Sequence, residues 1–206
     1  MASPSRAALR SRYRNARRAL SIHEQRSHAR DAAKHLAVSG LMLAFERFAI
    51  YAASDGELDP TPIARTLLAA HKTVALPVVG PARRLTFHRY REDGHFVRNR
   101  FGIAEPDPRF ERRIPTCILD VVLLPLVAFD DLGIRLGRGG GYYDATFGVR
   151  AGARPRALLI GLAHELQHHT DLAHRHWDVP LDGVITERGA RGFTIRARRF
   201  MPNRII

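Results

Sequence analysis

The order of elements between residues 48 and 79 constrains this chain more than any other feature. The apolar run 48–52 (FAIYA) reads as a buried strand, and the polar turn SDGELD follows it. Asp59-Pro60 and Thr61-Pro62 each supply a cap and a first-turn proline for a helix to about His71, and residues 73–79 (TVALPVV) form the next strand. Strand, loop, helix, strand is a βαβ unit, which requires a parallel sheet with a right-handed crossover. Further strands are expected in ILDVVLLPL (118–126), RALLIGLA (156–163) and GVITE (183–187). LTFHRY (85–90) alternates like a sheet-edge strand, and the proline-rich stretch 102–115 reads as a loop. The basic tail after GVITE is expected to be a peripheral strand or an ordered extension.

Two helices precede the first strand. Leu9, Tyr13, Ala16 and Leu20 recur at helical spacing, flanked by a stripe of Arg6, Arg10, Arg14 and Arg17, of which Arg14 and Arg17 read as a solvated face. Ser21 followed by Glu24 forms a capping box for a second helix through about Val38, stopped by Ser39-Gly40. The expected fold is one α/β domain over residues 1–206: an open, mostly parallel sheet with helices on both faces and two N-terminal helices.

No run of 18 or more apolar residues occurs, so a membrane-spanning helix is not expected, and the charged N-terminus lacks the apolar core of a secretory signal. A cytoplasmic location follows, although the acid-free, arginine-rich first twenty residues also suit a mitochondrial transit peptide. The one cysteine, Cys117, cannot form an internal disulfide and reads as a small buried hydrophobe. A net charge of +13 favours anionic partners, but no zinc-finger spacing or RNA-binding aromatic motif points to a specific nucleic acid.

The most informative stretch is LGRGGGYYD (136–144), which directly follows a buried strand and directly precedes a helix expected over residues 142–149. Open α/β sheets bind ligands at the carboxyl ends of their strands. Gly137, Gly139, Gly140 and Gly141 let backbone N–H groups approach phosphate oxygens, the helix end adds positive potential, and Arg135 and Arg138 offer charge-assisted contacts. Asp144 is a hard oxygen ligand where the magnesium of a nucleotide would sit. The plainer reading is a flexible glycine loop with Asp144 favouring a helix start. The loop lacks the Gly-Lys-Ser/Thr ending of a Walker motif and the G-x-G-x-x-G pattern of a first βα turn.

A rival lies in His164-Glu165-Leu166-Gln167-His168, literally H-E-x-x-H, with His174 at the third-ligand position of a zinc protease. On a helix, His164 and His168 would share one face and Glu165 would act as general base. Against it, Asp171 occupies a position where the chain needs glycine, and no methionine turn follows.

The segment LPLVAFDDLGIRLGRGGGYYD resembles the signature of the 5-formyltetrahydrofolate cyclo-ligase family. IYAASDGELD, VALPVV, FGIAEPDP, LIGLAHELQ and WDVPLDGVITE match it in order, so the resemblance spans nearly the whole chain. It implies ATP binding by Arg10, Arg135 and the 137–143 loop (Gly137, Arg138, Gly139, Gly140, Gly141, Tyr142 and Tyr143), with Arg6 standing where relatives usually carry lysine. It implies that Glu57 contacts folate, that Asp144 and Asp178 are linked to Mg2+, and that Gly139, Gly140, Tyr51 and Tyr143 line the substrate. Without the resemblance, Glu57 reads as an exposed turn acid, Asp178 as a solvated loop residue and Tyr51 as core. The implied reaction is ATP- and Mg2+-dependent closure of 5-formyltetrahydrofolate to the 5,10-methenyl form through an imidoyl phosphate, with Arg138 and Tyr143 as catalytic residues. The implied partners are ATP and a folate, polyglutamylated or not, bound by a monomer. The alternative within the family is an inactive member that binds nucleotide or RNA.

Overall fold

The computed structural model describes residues 4–148 and 157–201. Helix α1 (Arg6–Arg18) starts at Ser5, whose hydroxyl oxygen accepts the Ala8 amide at 3.2 Å. Its buried residues are Leu9, Tyr13 and Arg17, an i, i+4, i+8 row, whereas Ala16 is exposed. The buried row therefore ends in an arginine, contrary to the solvated face expected for Arg17. Helix α2 (Ile22–Val38) opens with the expected capping box, the Ser21 and Glu24 side chains each accepting the other's backbone N–H. A single turn, α3 (Leu41–Ala44), leads into strand β1 (Arg47–Ala49).

Strand β1 is shorter than the apolar run suggests, because the chain turns out of the ladder toward Asp55 (φ 60°) and Gly56 (φ 71°). Asp59 accepts hydrogen bonds from the Thr61 amide and hydroxyl, starting α4 (Thr61–Ala69). Strand β2 (Thr73–Val79) then pairs parallel with β1, completing the expected βαβ unit. Strand β3 (Leu85–Arg89) runs antiparallel to β2. The next segment is not all loop: β4 (Phe96–Arg98) and β5 (Ala104–Pro106) form a hairpin, and β6 (Arg113–Ile114) pairs with β3, so β3 is one strand in from the edge. Short pairings of this length carry little periodic signal in sequence.

Strand β7 (Val121–Pro125) is followed by the small hairpin β8 (Ala128–Phe129) and β9 (Arg135–Leu136), then the glycine loop and α5 (Tyr142–Phe147). The end expected for α5, at Val149, lies outside the described residues. Strands β10 (Leu158–Leu162), β11 (Gly183–Thr186) and β12 (Gly189–Gly192) and the turn of helix α6 (Ile195–Arg198) complete the chain. The tail is thus an ordered antiparallel extension.

The main sheet has the order β12-β11-β10-β7-β1-β2-β3-β6, and its five inner strands from β11 to β2 are parallel. Side chains alternate between two apolar layers. Phe48, Val74, Leu123 and Ile160 face Ala32, Leu36, Ile63 and Leu67 of α2 and α4. Ala49, Val122, Leu124 and Leu159 face Phe147 of α5 together with Leu119, Val179 and Leu181 from connecting segments. Helices lie on both faces, but the second face is covered mainly by loops. Cys117 is exposed in a 3-10 turn (Thr116–Ile118), one turn before the apolar strand buries, which corrects its expected place in the core. No helix among the described residues is long and apolar enough to cross a membrane.

Candidate functional site

From β1 the chain crosses through α4 to β2 on one side, while from β7 it proceeds to β10 on the other. The carboxyl ends of β1 and β7 therefore form a topological switch point, where open α/β sheets leave a crevice. A cleft of about 920 Å³ opens there. Two loops line it, one that follows β1 and one that follows the β8–β9 hairpin beyond β7, and they are built on opposite principles.

The first loop, residues 54–58, is held from behind by α1. Arg17 has no exposed surface; its Nε donates to the Asp55 carbonyl at 2.9 Å, Nη1 to the Leu126 carbonyl at 3.0 Å and Nη2 to the Asp55 carboxylate at 3.2 Å. Arg14 and Arg18 also bond to the Asp55 carboxylate. Gly56 is held at positive φ, and a side chain there would meet the Arg17 carbonyl at 3.2 Å. Burial lowers the pKa of Arg17 while Glu57 and Asp55 oppose the shift, so a charged guanidinium is sustained in the interior by two carboxylates.

Glu57 is buried rather than exposed. Its Oε2 accepts the Ser54 amide at 3.1 Å, and Oε1 stands 3.6 Å from Arg17 and 3.7 Å from Arg138 without a hydrogen-bond partner. Burial raises its pKa against the lowering pull of Arg17 and then Arg138. A buried carboxylate oxygen without a partner is costly, and a donor from a ligand in the cleft would satisfy it.

The second loop, residues 137–141, is held at few points. The Gly137 carbonyl accepts from Arg10 Nε at 2.9 Å, and Gly139 (φ 106°) and Gly141 (φ 67°) occupy backbone conformations that disfavour other residues. Arg138 is exposed and reaches across the cleft to donate to the Ser54 hydroxyl at 2.7 Å. Arg135 is buried; its Nη2 donates to Asp144 Oδ1 at 2.5 Å, and its Nε has no hydrogen-bond partner among the described residues. Asp144 Oδ1 also accepts the Val179 amide at 3.1 Å.

Asp178 is half-buried and accepts Arg6 Nη1 at 2.7 Å and the Arg175 amide at 2.9 Å through Oδ2. Burial acts to raise its pKa, but the Arg6 and Arg175 bonds outweigh it and hold the carboxyl below its ordinary value. Tyr143 stacks on Phe147, and burial followed by nearby Glu57 pushes its phenol well up, so it stays protonated. Tyr51 is buried and donates to the Leu58 carbonyl at 2.5 Å, which makes it part of the floor.

All residues singled out for this site in the sequence, from Arg6 and Arg10 through Tyr51 and Glu57 to Arg135, the 137–144 segment and Asp178, line the one cleft. Sequence reasoning missed Ser54 and Asp55, and it misread Arg17, whose signal was its place in the row 9, 13, 17. It also missed Asn99, Phe101 and Glu105, which the β4–β5 hairpin brings to the rim, and Arg175 and Trp177.

The H-E-x-x-H segment does not form a helix. Residues Glu165–Gln167 are a 3-10 turn after β10, so the two histidines are not stacked one turn apart on a face. His164 is buried against His28, with Nδ1 atoms 2.9 Å apart, and burial and then His28 push its pKa down to about 4. His168 bonds to Asp131, and His174 is exposed. The Glu165 carboxylate is occupied by the Thr186 hydroxyl at 2.8 Å and Arg191 at 3.0 Å, which removes it as a free general base.

The model of the 5-formyltetrahydrofolate cyclo-ligase family matches residues 2–187. A 5-formyltetrahydrofolate cyclo-ligase of Escherichia coli K12 is 37% identical over 175 residues, covering 84% of this chain and 95% of its own. Its namesake from Haemophilus influenzae is 37% identical over 142 residues, covering 68% and 75%. The solved Aquifex aeolicus 5,10-methenyltetrahydrofolate synthetase superposes with a TM-score of 0.76 at 29% identity, covering 91% of this chain and 92% of that one. Signature loop, switch-point cleft and full-length similarity agree: the chain belongs to the 5-formyltetrahydrofolate cyclo-ligase family of enzymes.

Proposed function

We propose that this chain converts 5-formyltetrahydrofolate to 5,10-methenyltetrahydrofolate at the expense of ATP, releasing ADP and phosphate. The single observation that carries the reading is the meeting of the two loops. Arg138, from a glycine loop suited to phosphates, stands 3.7 Å from the Glu57 oxygen that has no hydrogen bond among the described residues, from a loop suited to one fixed polar contact. A phosphate donor and a nitrogen-rich acceptor can thus be held in one crevice.

In this reading the formyl oxygen attacks the γ-phosphate of ATP, the bond to the β-phosphate oxygen breaks, and ADP leaves. The neighbouring amine then attacks the imidoyl phosphate carbon, losing its proton, and phosphate departs with the original formyl oxygen. Phosphoryl transfer needs alignment and stabilisation of spreading charge more than covalent help. Arg138, Arg10 and Arg6 line the cleft with positive charge, and the N–H groups of residues 139–141, which donate to no backbone carbonyl among the described residues, add backbone donors. Helix α5 is only six residues long, so the loop and the arginines, rather than a helix dipole, supply the potential. Glu57, ionised, accepts a hydrogen bond from the folate ring system and fixes its orientation, while Tyr143 forms part of the adjoining wall.

Asp144 and Asp178 suit Mg2+ by their donor set. Each has one oxygen engaged by an arginine and the other without a hydrogen bond among the described residues. Mg2+ is usually held by one or two carboxylates, with phosphate oxygens and water completing the shell. When bound there it would neutralise phosphate charge. Every element of the proposed site comes from one chain, so a monomer suffices, and the surrounding arginines suit an anionic polyglutamate tail.

The direct test mixes purified protein with 5-formyltetrahydrofolate, ATP and Mg2+ and follows methenyl absorbance, with an ATP-omitted control. ATP-dependent product is expected. Retention of RNA without turnover would instead favour an inactive, nucleic-acid-binding member.

A further inference from the structure

We propose that His28, His164 and Glu187 form a site for one divalent transition ion of the zinc class, separate from the cleft. The three residues come from the middle of α2, the end of β10 and the end of β11, and their ligand atoms all lie within 4.8 Å of one another. None of them lines the cleft.

The geometry asks for an ion in two ways. The two imidazoles meet Nδ1 to Nδ1 at 2.9 Å, so two basic nitrogens share a single proton between them, and a metal ion could take the place of that proton. His164 also has no exposed surface, so its ring cannot turn to water and its Nδ1 stays aimed at His28. Glu187 faces the pair with Oε1, 3.9 Å from His28 Nδ1, while its Oε2 accepts the Glu165 amide at 2.9 Å and its carbonyl accepts from His35 Nε2 at 3.1 Å. Such outer bonds hold a ligating carboxylate in place.

Two imidazoles and one carboxylate suit zinc, which binds nitrogen at about 2.0–2.1 Å in tetrahedral geometry, whereas Mg2+ prefers oxygen throughout. Tetrahedral nitrogens stand roughly 3.4 Å apart at such bond lengths, so the imidazoles need to separate by about half an ångström. His28 can give way, because its side chain is 21% exposed, and that same edge admits a water as fourth ligand. An ion there would tie α2 to the ends of β10 and β11. His164 is thereby shared with the H-E-x-x-H reading, but its partners are remote in sequence and exclude His168 and His174.

The test uses the untagged full-length protein, stripped with chelator and kept in excess Mg2+. Zinc is titrated by calorimetry, and Co2+ substitution is followed by visible absorption. We expect one equivalent of zinc, Co2+ bands of a four-coordinate site, and a melting midpoint raised by about 5–10 °C at roughly a hundredfold excess over Kd. His28→Gln keeps a polar group against His164, and Glu187→Gln keeps an acceptor for the Glu165 amide; each should weaken zinc by about tenfold or more. His168→Gln should change nothing. Absence of stoichiometric binding, binding that both His28→Gln and Glu187→Gln leave intact, or binding lost in His168→Gln would overturn the proposal. Metal-free melting of each variant reports folding, and Glu187→Gln decides the matter if His28→Gln unfolds.

Discussion

The two loops at the switch point follow the neighbouring strands β1 and β7, the second after the β8–β9 hairpin, yet differ in how they are held. Residues 54–58 are fixed by three arginines of α1 converging on Asp55, one of them fully buried. Residues 137–141 are anchored at the Gly137 carbonyl and by the Arg138 side chain on Ser54, and among the described residues the amides of 139–141 donate to no backbone carbonyl. The difference matches the ligand each is proposed to meet. A rigid heterocycle read by a single carboxylate needs that carboxylate fixed, while a triphosphate that changes charge during reaction is served by several adaptable donors.

The largest test of this contrast is Arg17→Met. It leaves Asp55 and Glu57 without their buried counter-charge and should destabilise the fold by about 3–5 kcal/mol, read as a lowered urea midpoint. A loss under about 1 kcal/mol would mean that the first loop is not held from α1. Next, Arg138→Gln should lower kcat/KM by about 10²–10³-fold, the range for a single charge-stabilising donor, with little change in melting because the side chain is exposed. The opposite pattern, stability lost and activity kept, would reverse the roles of the two loops.

The acidic limb of the pH profile separates the loops further. Burial raises the pKa of Glu57, so activity that needs its carboxylate falls as pH drops through a value above the ordinary glutamate range. Removing Arg138 takes away a pull that lowers this pKa, so the limb should move to higher pH in Arg138→Gln. A limb that stays in place or moves down would separate Glu57 from the chemistry. Asp144→Asn should raise the Mg2+ concentration for half-maximal rate more than the KM for folate, and the reverse ranking would move the metal elsewhere. The smallest effect is expected of Arg14→Gln, at most about 1 kcal/mol in melting, since its side chain is 39% exposed and Arg17 and Arg18 still hold Asp55.

Much of this was legible in the sequence where a local rule governs. Helix α2 with its capping box, strand β2, and the glycine loop leading into α5 follow from periodicity, capping and turn chemistry, whereas the β8–β9 hairpin between β7 and that loop did not. The glycine-loop side of the cleft was legible through its own signature, and Glu57 and Asp178 only through the family resemblance, while the β4–β5 rim with Asn99, Phe101 and Glu105 was not. What supports the cleft was not legible, because Asp55 and Arg17 meet only after α1 packs across 38 residues of chain separation. The β4–β5 hairpin and the pairing of β6 with β3 escaped for a similar reason: two- and three-residue strands are defined by their partners. His164 had no local signal at all for His28, 136 residues away, and the spacing rule supplied His168 instead.

The most direct measurement of the central claim is the fate of the formyl oxygen. 5-Formyltetrahydrofolate labelled with 18O in the formyl group is incubated with the protein, ATP and Mg2+, and the released phosphate is analysed by mass spectrometry. One 18O is expected in each phosphate formed with methenyl product, because that oxygen attacks the γ-phosphate. Methenyl product accompanied by unlabelled phosphate would contradict the claim.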